Sequence, residues 1–107
     1  MPQQSNRLLM ELDKHRRQVN REIINPKLPE LAIQDLKPVL EMVAHARGDY
    51  LAALMSIAEA TEGDTPSDDQ IGELRQRRET FEELVSAVNA LETVIQREYL
   101  DVKSARG

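Results

Sequence analysis

The chain has 107 residues and carries 14 Lys and Arg against 19 Asp and Glu, for a formal net charge of -5. With no Cys, no Trp, two His and three aromatic residues (Tyr50, Phe81, Tyr99), it has no disulfide framework, no thiolate metal site and no cysteine nucleophile. The same scarcity excludes a His-only metal cage and removes the aromatic platforms on which bases stack.

The first six residues lack the basic and apolar regions of a signal peptide. The longest apolar-rich run, Tyr50 to Ala58, is half of the roughly 18 residues that a membrane span needs. These features read as a soluble, cytoplasmic chain with no membrane association.

Helix 1 is expected from about Gln4 to Ile24, with Leu8, Leu12, Val19 and Ile23 as its apolar stripe. Asn25-Pro26-Lys27-Leu28-Pro29 then breaks the chain, because proline lacks an amide donor and restricts its predecessor. Helix 2 is expected from about Pro29 to Thr61. Its stripe reads Leu36, Val39, Leu40, Val43, Tyr50, Leu51, Leu54 and Ile57. Pro38 and Gly48 fall inside it and predict interruptions, with a short helix ending at Leu36 and a new start at Lys37 as one form.

Thr61 to Ser67 is a turn. Gly63 suits the position just past a helix, and either Thr65 or Ser67 can cap the next one. Gln70 is placed to close a capping box with Ser67. Helix 3 is expected from Ser67 to Lys103. Phe81, Leu84, Val88, Leu91, Ile95 and Val102 alternate by threes and fours, with one polar miss at Glu98. Tyr50 and Phe81 fall on facing stripes either side of the turn.

The expected fold is all-α: one domain over residues 1–107, an elongated three-helix bundle with an antiparallel helix 2–helix 3 hairpin and helix 1 alongside. Residues 1–3 and 104–107 are expected to fray. Such a thin bundle has a small core, for which oligomerisation is a common remedy. The surplus aliphatics Leu9, Met10, Met42, Met55, Val85, Val94 and Leu100 suggest a homodimer formed through the long helices.

Chemistry-bearing patterns are sparse. Lys14-His15-Arg16-Arg17 with Arg21 gives residues 1–27 a charge of +3, whereas residues 28–66 sum to -5 and 67–107 to -3. A mildly basic helix on an acidic body is a weak nucleic-acid footprint. Glu11/His15 and Glu41/His45 share helix faces at four-residue spacing, but di-metal bundles need Glu-x-x-His, so no metal or other cofactor is expected. By wheel angle His45 faces solvent, while His15 lies on the helix 1 stripe.

Arg47 and Arg77 fall on apolar stripes. Stripe arginines pair with facing glutamates or, with His15, form an anion site in a dimeric bundle. No phosphate loop or catalytic triad is present. The sequence therefore reads first as a helical interaction protein, an adaptor, regulatory or chaperone-like factor, with two alternatives: a dimeric all-α enzyme or ligand-binding bundle using the Arg47/Arg77 anion site, and weak nucleic-acid binding through helix 1. The interaction protein is expected to act through helix packing in a homodimer or with a protein partner, anchored by Phe81, Leu84, Val88, Leu91 and Ile95.

Overall fold

The computed structural model describes residues 2–103. Its three α-helices are α1 (Pro2–Ile24), α2 (Ile33–Thr61) and α3 (Asp68–Gln96), with a short 3-10 turn at Asn25–Lys27. The fold is all-α, and α2 packs against α3. Among the described residues the only β pairing is an isolated parallel bridge between Leu31 and Val102. Pro2 and Gln3, expected to fray, lie within α1; Met1 and residues 104–107 fall outside the described residues.

The chain divides into two compact units. One comprises residues 34–89; the other comprises residues 1–33 together with 90–107.

The unit of residues 34–89 is the helical hairpin. The sequence leaves open whether helix 2, kinked near Pro38 and Gly48, is continuous there; α2 runs as one element through both. It also starts at Ile33 rather than Pro29. Its inward face is Val39, Val43, Ala46, Tyr50, Ala53 and Ile57, of which Val43, Ala46 and Ile57 are buried and the others half-buried. That set alternates by fours and threes, the spacing of a packed helical seam. Leu40, Leu51 and Leu54, expected to be buried with it, lie on a neighbouring flank and stay exposed. The two alanines take the inward positions instead.

From α3, Gln70, Leu74, Phe81, Leu84 and Val88 are half-buried in the same rhythm. The rings of Tyr50 and Phe81 meet with centroids 6.2 Å apart, and the Arg47 guanidinium sits 5.2 Å above the Phe81 ring. An aromatic pair adds about 0.5–1.5 kcal/mol beyond its burial, and an exposed cation–π contact about 0.5–1 kcal/mol.

The hairpin turn has defined chemistry at both ends. Glu62 N–H bonds to Glu59 C=O and Gly63 N–H to Ala58 C=O, both at 3.3 Å, which is a Schellman motif. The left-handed residue in it is Glu62, at φ 53, one position before the expected Gly63, which itself lies at φ 84. At the start of α3 the cap is Ser67: its Oγ accepts from Gln70 N–H at 3.2 Å while Gln70 Oε1 accepts from Ser67 N–H at 2.9 Å. This is the reciprocal capping box.

The other unit holds α1, the connection to α2 and the end of α3 with its tail. Leu28 is extended, as the following Pro29 requires. Helix α3 stops at Gln96, not at Lys103. Glu98 turns left-handed at φ 59, with Glu98 N–H on Ile95 C=O at 3.1 Å and Tyr99 N–H on Val94 C=O at 3.0 Å, a second Schellman motif. The polar miss in the helix 3 pattern is thus the stop itself. Beyond it, Tyr99 and Leu100 are buried together with Leu31, while Val102, assigned to the seam by its spacing, pairs with Leu31 in the bridge.

Candidate interaction surfaces

Within the unit formed by residues 1–33 and 90–107, polar groups fasten the tail. Leu31 N–H donates to Asp101 C=O at 3.1 Å and Lys103 N–H to Leu31 C=O at 2.6 Å. The Arg21 guanidinium donates to Glu98 C=O at 2.8 Å and pairs with the Asp101 carboxylate. Asn25 closes the set: its Oδ1 accepts from Asp101 N–H at 2.9 Å and its Nδ2 donates to Asp101 Oδ2 at 3.4 Å. Sequence reading found none of this clasp, since its partners are 70 to 80 residues apart.

The clasp determines which face of α1 turns inward. Asn20, Arg21 and Ile24 are its half-buried residues. Arg17 and Arg21 line a groove of about 540 Å³ with Glu30, Leu100, Asp101 and Val102. The apolar stripe lies on the other side, where Leu8, Leu12, Val19 and Ile23 are 65%, 49%, 50% and 56% exposed. His15, on that stripe, is exposed rather than at a core edge. Of the basic stretch, Arg16 pairs with Asp13 at 3.3 Å and Arg21 is held in the clasp.

On the hairpin, Phe81, Leu84 and Val88 of the expected anchors are half-buried. Leu91 and Ile95 are half-buried too, in the part of α3 that belongs to the other unit. Leu40, Val43, Arg47, Val85, Val88 and Asn89 line a groove of about 370 Å³. Arg77 lies in a different groove, of about 310 Å³, with Asp49, Ser56 and Glu73 among its lining, and it pairs with Glu73 at 3.9 Å. The two stripe arginines therefore line separate grooves, one stacked on an aromatic ring and the other facing a carboxylate. His45 is exposed, as its wheel position predicts.

Among the described residues, no group of three or more His, Cys, Asp or Glu is placed to hold a metal ion. No described helix is long and apolar enough to cross a membrane. No family model, curated protein or solved structure matches the chain.

Proposed function

We propose that this chain is a small helical interaction protein that works by packing its exposed apolar helix faces against another helical chain, in the first instance a second copy of itself. The observation that carries this reading is the balance of buried and exposed apolar side chains. Among the described residues no large side chain is fully buried, while Leu40, Leu51, Leu54 and Met55 of α2 are each about half exposed or more.

Sedimentation of the purified chain tests this reading, beside the pair Leu51→Asp and Leu54→Asp in one variant. The wild type should sediment above the 12.2 kDa monomer at micromolar concentrations. The variant should lose mass or affinity while keeping its helical circular dichroism, because both leucines are exposed in the single chain. A wild type that stays monomeric up to about 200 micromolar, where even weak interfaces begin to fill, overturns the proposal.

A further inference from the structure

Helix α1 is fastened by the face opposite to its apolar stripe. Arg17 and Arg21 face the clasp groove, and residue 19 lies about 200° around the helix from each of them at roughly 100° per residue. The unit that anchors α1 therefore leaves the stripe uncovered. Leu8, Leu12, His15 and Val19 are spaced four, three and four, which is the seam spacing of a two-stranded coiled coil.

The charges bordering this seam select the occupant. Glu11 borders it on one side, Arg16 on the other, five residues further along. In a parallel, in-register pair of such helices, bordering positions five residues apart meet across the seam. Glu11 of each copy then faces Arg16 of the other, twice by symmetry. An antiparallel pair that keeps these layers sets Leu8 against Val19 and Leu12 against His15, and it brings Glu11 to Gln18 and Arg16 to Leu9, leaving both charges without an opposite partner across the seam.

We infer that α1 pairs in parallel and in register with α1 of a second copy of this chain. Leu8, Leu12 and Val19 form its apolar layers, and His15 meets its counterpart as the one polar layer between them. This rests on the reading of the protein as self-associating through helix packing, and adds the surface, the partner and the orientation.

The chain has no cysteine, so single-cysteine variants report neighbours without background. Leu12→Cys and Val19→Cys, oxidised separately, should each give a disulfide-linked dimer. Linkage only of Leu8→Cys to Val19→Cys marks an antiparallel pair, and linkage only of Leu12→Cys to Leu51→Cys seats α1 on the hairpin; either result overturns the inference.

Charge exchange gives a second readout. Glu11→Arg alone and Arg16→Glu alone should each weaken self-association about tenfold, and both together in one chain should restore it. Failure of the double variant to recover overturns the pairing. A wild-type dimer lost in the Leu51→Asp/Leu54→Asp variant but indifferent to every α1 change removes α1 from the interface and leaves the proposed function standing. A monomeric wild type removes both.

Discussion

Glu98 occupies a conformation that glycine adopts without cost. Its φ of 59 places Cβ against the carbonyl that follows, at roughly 1–2 kcal/mol for an L-residue. Glycine there gives back part of that gain, about 0.4–1 kcal/mol, through a more flexible unfolded chain. Glu98→Gly should therefore stabilise the protein by up to about 1 kcal/mol, read as a higher urea midpoint at unchanged slope. A lower midpoint would show that the Glu98 side chain supplies something the backbone does not. The same residue shows why one boundary was misread. A charged residue at a seam position is compatible with a helix that continues, and only the left-handed turn distinguishes the two outcomes. Ser67 was legible because its cap needs a specific partner three residues on, and Gln70 is there.

At the scale of elements, α3 was legible through large apolar residues in strict alternation, and the facing of Tyr50 and Phe81 followed from it. Helix α2 was harder. Its wheel offers two adjacent apolar rows, and the bulkier one, with Leu40, Leu51 and Leu54, attracts the eye. The packed row contains Ala46 and Ala53, small residues that admit the rings of Tyr50 and Phe81 and let the helices approach. Pro38 and Gly48 left the continuity of α2 open, because tertiary packing decides whether the local cost of both residues is met in a helix held along its length. The clasp was invisible because periodicity carries no information on pairs so distant in sequence. It makes its own prediction. Asp101 binds Arg21 and Asn25 with a side chain about half exposed, so Asp101→Ala should cost less than about 1 kcal/mol globally. Locally the effect should be larger. Amide exchange at Leu31 and Lys103 should accelerate about tenfold, with the hairpin amides around Val43 and Val88 unchanged. Unaltered exchange at Lys103 would mean that the bridge to Leu31 holds without its polar frame.

For the whole molecule, the proposed self-association would cover apolar side chains that the thin core leaves exposed. The apolar stripe of α1 was readable, but its exposure was not, because a stripe looks the same whether it meets its own chain or another. Such self-association would couple folding to concentration. Between about 5 and 200 micromolar the melting temperature should rise by a few degrees, since anything that binds only the folded state stabilises it by mass action. A melting temperature independent of concentration would indicate that association, where present, adds nothing to stability. The grooves containing Arg47 and Arg77 are separate.

The clasp also has a consequence for the order of events in folding. The hairpin contacts span a short turn, so α2 and α3 can find each other as soon as both have been synthesised. The pairs Arg21–Glu98, Asn25–Asp101 and Leu31–Val102 close loops of more than 70 residues, and none can form until the segment around residue 100 has left the ribosome. Helix α1, made first, is thus the last part to be fastened. Its stripe is uncovered before the clasp closes and after it, so the pairing inferred for α1 would not have to wait for the clasp.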